Sequence, residues 1–251
     1  MNKSSIEHKA LKNIAKLQSQ LLRMTCRLVR LNKHYELKGF ASGFIVERSG
    51  SLFLLSAGHA LNKGSWCLET DVSFENTHET LLIPLNEVLL FKAFNLDTTA
   101  MEDMEFAFAR FDRTALEQKA KKDKRLLGKH IEFTAYRGPL DHEPILGNGE
   151  YSYASWKRQP VQEASKMFLH RGATGEFGMT YKGKSPDEKV YHFALAGAHK
   201  GHDYYKGASG SPITDAEGKG VSLLLGGDNS TNTLYGLPIK DYIQLLDVDF
   251  P

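Results

Sequence analysis

The sequence predicts an all-β body behind one basic amphipathic helix, and three observations carry that expectation. From about residue 40 onward the apolar residues come in short runs rich in Val, Ile, Phe and Tyr, such as FASGFIVER at 40–48, SLFLLSA at 51–57 and MEFAFARF at 104–111. Gly, Asn, Ser or charge separates these runs, and no long helical pattern alternates with them, which excludes a parallel sheet wound with helices. The first residues break the rule: Ile6, Ala10, Ile14, Leu17 and Leu21 recur at spacings of three and four, behind a capping box at Ser4-Ser5-Ile6-Glu7.

The elements follow in order. Residues 1–23 form the helix. Up to Lys33 there are eight basic residues against Glu7 alone, so the small net charge of +2 hides a basic start and an acidic remainder. Such a helix suits an anionic membrane surface, nucleic acid or an acidic partner, or it docks on the body with its lysines in water. Residues 24–112 hold the first set of strands, including WCLETDVSF at 66–74. The stretch 113–126, with Lys119, Lys121, Lys122, Lys124 and Arg125, reads as a solvated connector and domain boundary. Strands resume over 127–251, at 131–136, 151–156, 166–170, 176–181, 189–197, 219–225 and 233–239, and GATGEFG at 172–178 reads as a hairpin turn between two of them. A short helix pattern, Lys240 to Leu246, closes the chain. Antiparallel strands in this number make a barrel or a sandwich.

Composition removes whole classes. With 251 residues, 41% of them hydrophobic and 25% charged, the chain is neither disordered nor collagen-like. Its longest apolar runs, Leu52 to Leu55 and Leu223 to Leu225, fall far short of the roughly 20 residues of a membrane-spanning helix. Charge in MNKSSIEHKALKNIAK occupies the place of a secretory signal's apolar centre, so the expected location is cytoplasmic. Cys26 and Cys67 are too few to staple the chain and are expected as reduced, buried thiols.

Three local patterns bear on chemistry: SAGHAL at 56–61, EFAFA at 105–109 and KGASGSP at 206–212. They set a His, an acid and a Gly-flanked Ser in one of the chain orders of a serine-nucleophile triad. On these residues the sequence resembles the chymotrypsin-like serine proteases, and within them the bacterial trypsin-like branch typified by the high-temperature-requirement proteases. ASGFIVE at 41–47 resembles the strand before the catalytic His, GKHIEFTAYRGP at 128–139 the opening of the second barrel, and LYGLPI at 234–239 its last strand. The resemblance implies two six-stranded antiparallel β-barrels, 24–112 and 127–251, with the site in the cleft between them.

It also implies roles. Ser209 attacks, His59 takes its proton as general base, and an acid on the other ring nitrogen holds the tautomer. Glu105 stands where the family has Asp. Asp103 shares its face of a period-two strand, but aligning Asp103 would put Glu105 where the family's small Ala belongs. The N–H groups of Gly207 and Ser209 form the expected oxyanion hole. Ala208 replaces the acid that secreted members pair with a newly cut N-terminus, so activation by propeptide removal is not implied. Asp203, six residues before Ser209, is the candidate substrate-binding acid, though the longer AHKGHDYYKG loop leaves open an outward position. His199-x-x-His202 lacks a third ligand of compelling spacing, so no metal is expected. Ser211 breaks the G-x-S-x-G pattern and disfavours a lipase-like fold. The expected function is a cofactor-free serine endopeptidase acting on protein or peptide. Its alternative is a pseudoprotease that holds a peptide without cutting it.

Overall fold

The computed structural model describes residues 3–62, 64–74, 80–85, 87–95, 99–111, 126–127, 134–147, 150–163 and 166–248. Of the connector expected at 113–126, all but Leu126 lies outside the described residues, as do residues 131–133 of the strand expected at 131–136. The chain opens with α1 (Lys3–Met24) and enters β1 (Thr25–Leu31) with no linker. There follow β2 (Leu37–Arg48), β3 (Ser51–Ala57), the single turn α2 (Gly58–Leu61), β4 (Ser65–Phe74), β5 (Thr80–Pro84), β6 (Leu89–Asn95), β7 (Ala100–Phe111) and the short β8 (Leu126–Leu127). The second half holds β9 (Tyr151–Glu163), β10 (Lys166–Lys184), β11 (Tyr191–Ala194), the turn α3 (His202–Tyr205), β12 (Pro212–Thr214), β13 (Gly220–Asp228) and β14 (Thr233–Pro238).

The second half closes into a barrel in the order β10-β11-β14-β13-β12-β9, whereas the first is an open sheet in the order β5-β4-β1-β2-β3-β7-β6, with β8 added beside β4. A second closed barrel is therefore not shown. Between β5 and β6, Leu85 N–H donates to Trp66 O, and Leu85 and Val88 pack on the sheet's own core. That path delivers β6 to β7, where Leu89 faces Phe108, rather than to β5.

Three further expectations are corrected. GATGEFG is not a turn: Gly172 to Glu176 pair with Lys157 to Tyr153 inside β10, and a bulge between Glu176 and Met179 absorbs Gly178 at φ 71°. Gly175 is needed there because a Cβ would sit 2.6 Å from Tyr153 O. The C-terminal pattern forms two short 3-10 turns, Ile239–Asp241 and Ile243–Asp247, rather than one helix, with Tyr242 between them at φ −120° and ψ −8°. The closed barrel opens at β9, and Tyr136 instead makes a parallel bridge to Val46 of the first sheet.

Three cores hold these parts. One lies within the first sheet around Leu28, Leu54, Trp66 and Leu68, and one inside the barrel around Tyr153, Tyr191, Phe193 and Leu234. The third joins the halves: Phe44, Phe53, Phe106 and Phe108 pack with Leu223, Leu237, Ile239 and Leu246. Burying each such side chain is worth about 1.5–3 kcal/mol, so this core holds one half against the other. The last turn of α1 belongs to the body as well, since Leu21 is 0% exposed and Trp156 Nε1 donates to Leu22 O at 3.1 Å. Ile14, two turns earlier on the same stripe, is 43% exposed. Cys26 and Cys67 are buried and unbridged. Among the described residues no helix is long and apolar enough to cross a membrane.

Candidate active site

The register of β3 on β7 places Ala57 opposite Phe106. His59, two residues past Ala57, is thereby carried to Glu105, one residue before Phe106. Gly58 allows the approach, because a Cβ there would stand 2.3 Å from Met104 O and force α2 off β7. Glu105 Oε2 lies 2.7 Å from His59 Nδ1 and accepts the His59 backbone N–H at 3.1 Å. A carboxylate against Nδ1 draws the ring proton there and leaves Nε2 as the acceptor that a base needs. The hydrogen bond from the His59 ring holds the Glu105 carboxyl below its ordinary range. Asp103, on the same face of β7, lies instead 3.3 Å from Lys92, with its side chain 75% exposed.

The Ser209 loop is built from turn chemistry. Lys206 at φ −57°, ψ 124° and Gly207 at φ 85°, with Ala208 N–H donating to Tyr205 O at 3.0 Å, define a type II turn, which requires a glycine at its third position. Gly210 is demanded twice over, by φ 91° and because a Cβ would lie 2.1 Å from Ser42 O. The N–H groups of Gly207 and Ser209 have no acceptor among the described residues. Ser209 Oγ donates to Leu225 O at 3.0 Å rather than to His59.

The structure thus pairs His59 with Glu105 and presents the amides of Gly207 and Ser209 from one turn. Asp203 is apart from both: it is exposed on α3. Behind α3, buried Tyr205 donates its hydroxyl to Glu176 at 2.9 Å, and burial pushes that phenol up to about 12. His199 packs on Tyr205 with ring centres 4.5 Å apart and planes tilted by 48°, and its Nδ1 accepts the Gly201 N–H. Among the described residues no His, Cys, Asp and Glu cluster is arranged to hold a metal. Sequence reasoning missed Ser42, Ser56, Ser155 and Leu225, which contact this loop or its supports. Small polar residues at inward strand positions were the available signal.

No family model matches the sequence, and no curated protein is similar to it. Solved structures are. HL collagenase aligns over 91% of this chain and 95% of its own at 11% identity and a TM-score of 0.55. The serine endoprotease from Yersinia pestis aligns over 92% of this chain and 65% of its own at 9% identity and 0.53. Human heparin binding protein aligns over 92% and 94% at 11% identity and 0.55. At these identities the likeness defines the fold, which is that of the chymotrypsin-like serine proteases.

Proposed function

We propose that the protein is a serine endopeptidase that hydrolyses peptide bonds in a protein or peptide through an acyl-enzyme on Ser209. The observation that carries this reading is the 2.7 Å contact of Glu105 with His59 Nδ1, together with the glycine-framed turn that carries Ser209. In this scheme Ser209 Oγ gives up Leu225 O for His59 Nε2 and attacks the substrate carbonyl carbon. His59 takes the hydroxyl proton while the new oxyanion is held by the Gly207 and Ser209 amides, each donor worth on the order of 3 kcal/mol. The C–N bond then breaks, and the amine leaves with the proton from His59. Water next gives a proton to His59 and its hydroxide to the acyl carbon, and Ser209 recovers its hydrogen. No cofactor enters this scheme.

Exposure on α3 sets Asp203 against a role as a buried pocket acid, and primary specificity is not assigned to it. The basic face of α1 is a second contact surface in this proposal, suited to an anionic partner.

One observation favours a second reading, a protease fold that binds peptide without cutting it: the Ser209 hydroxyl is committed to Leu225 O. Intact mass after a fluorophosphonate probe separates the two. The protease reading expects one adduct, lost in Ser209→Ala and in His59→Ala. A native chain that stays unlabelled while a trypsin control reacts leaves the binding module.

A further inference from the structure

We infer that Ser42 is a positioning residue for the oxyanion turn, acting through a buried chain of hydroxyls that runs from the barrel through the first sheet to Gly207. The inference rests on the protease reading and adds to it the question of what holds the turn that carries the two candidate donor amides.

Each peptide unit around Ser209 can be followed in turn. The unit between Gly207 and Ala208 is held at both ends: Ala208 N–H donates to Tyr205 O at 3.0 Å, and Gly207 O accepts from Ser42 Oγ at 2.8 Å. The unit between Ser209 and Gly210 is held at both ends too, with Ser42 N–H donating to Ser209 O at 3.0 Å and Gly210 N–H donating to Leu224 O at 2.8 Å. The candidate oxyanion donors, Gly207 N–H and Ser209 N–H, lie just before and just after the first of these pinned units. Ser42 therefore supplies a pin to each, one from its side chain and one from its backbone. The side-chain pin matters more at Gly207, because glycine has soft dihedrals and a fixed Gly207–Ala208 unit is the anchor against which the neighbouring Lys206–Gly207 peptide, with its N–H, is set.

The proton order in the chain follows from counting hydrogens. Ser42 has one hydroxyl hydrogen and spends it on Gly207 O, so the 2.7 Å contact between Ser42 Oγ and Ser155 Oγ is donated by Ser155. Ser56 Oγ donates to Ser42 O at 2.7 Å and steadies the same residue from β3. Exposure is 1% at Ser42 and 0% at Ser56 and Ser155, so water does not replace a lost partner. Removal of the Ser42 hydroxyl takes the side-chain partner from half-buried Gly207 O and from buried Ser155 Oγ and loosens the Gly207–Ala208 unit. Ser42 lies on β2 and Ser155 on β9, so the oxyanion turn reads the docking of one half of the molecule on the other.

The test compares Ser42→Ala and Ser155→Ala with the unmodified chain. The readouts are kcat and KM on a cleaved peptide and the affinity of a peptide trifluoromethyl ketone, whose hemiketal oxygen needs the oxyanion donors. Ser42→Ala is expected to lower kcat and ketone affinity together, by roughly 10- to 100-fold, with KM and the pH profile of kcat/KM unchanged. Ser155→Ala, which removes only the donor behind Ser42, is expected to lower both about threefold, and it carries the test alone if Ser42→Ala does not fold. Variants that lose melting temperature but keep kcat and ketone affinity overturn the inference and leave the hydroxyls as a structural brace. An unmodified chain that takes no fluorophosphonate overturns the protease reading itself, whereas a labelled chain with unchanged variants overturns only the role of Ser42.

Discussion

The two halves of the molecule carry their parts of the candidate site by different means. In the first, an open sheet, His59 and Glu105 are 42% and 46% exposed in their side chains and are held by one carboxylate oxygen that meets both a backbone amide and a ring nitrogen. In the second, a closed barrel, the Ser209 turn has glycines at φ 85° and 91° and two peptide units fixed at both ends, with two of those four contacts supplied by Ser42 of the first sheet. The difference teaches that one carboxylate oxygen is enough to set a half-solvated side-chain pair at a strand end, whereas a backbone turn with positive φ depends on its glycines.

Glu105→Gln tests the first half most severely. It keeps the shape but loses the charge that orders the His59 tautomer, and turnover is expected to fall by roughly 10³- to 10⁴-fold. Asp103→Asn, which touches only the exposed contact with Lys92, is expected to change turnover less than about threefold. The reverse result would transfer the acid's role to Asp103.

Gly210→Ala tests the second half. It sets a Cβ against Ser42 O in a left-handed backbone, so both folding stability and turnover are expected to drop, stability by more than about 3 kcal/mol in denaturant titration. A variant as stable and active as the parent would show that the turn is softer than its dihedrals imply.

The helix ranks next, because it ties the comparison to the body. Leu21→Ala is expected to cost about 2–5 kcal/mol, while Ile14→Ala on the exposed part of the stripe costs under about 0.5 kcal/mol. Calorimetric melting distinguishes them, at about 2–4 °C per kcal/mol for a chain of this size. If instead Ile14→Ala and the loss of nearby lysines abolish salt-sensitive retention on anionic vesicles, the outer turns serve a partner rather than the fold.

The smallest effect concerns pH. The Glu105 carboxyl is held below its ordinary value by His59, so the pair's contribution to stability is present above the unfolded carboxyl value of about 4.3. It is lost as pH falls through the lower folded value. The melting-temperature gap between the parent and Glu105→Gln is therefore expected to be widest near pH 6 and to close toward pH 3. A gap that widens in acid would contradict the assigned hydrogen bond.

The sequence by itself determined the β character of the body, since short β-branched and aromatic runs leave no other way to bury their apolar faces. The glycines of KGASGSP also marked the Ser209 segment as distinct, while its type II form was set by the dihedrals of Lys206 and Gly207. The order His59, Glu105, Ser209 was legible in the same way, as residue types whose chemistry belongs together. Only the tertiary structure decided which of Asp103 and Glu105 meets His59, because period-two alternation puts both on one face and the choice depends on the register of β3 against β7. It alone decided that the glycines at 172–178 serve a bulged strand rather than a turn, since local composition is the same in both. And it alone brought Ser42 to Ser155 and Gly207, 113 and 165 residues away. Contacts of that range leave no periodic trace in a chain, and they form only when the two halves dock and exclude water from the hydroxyls between them.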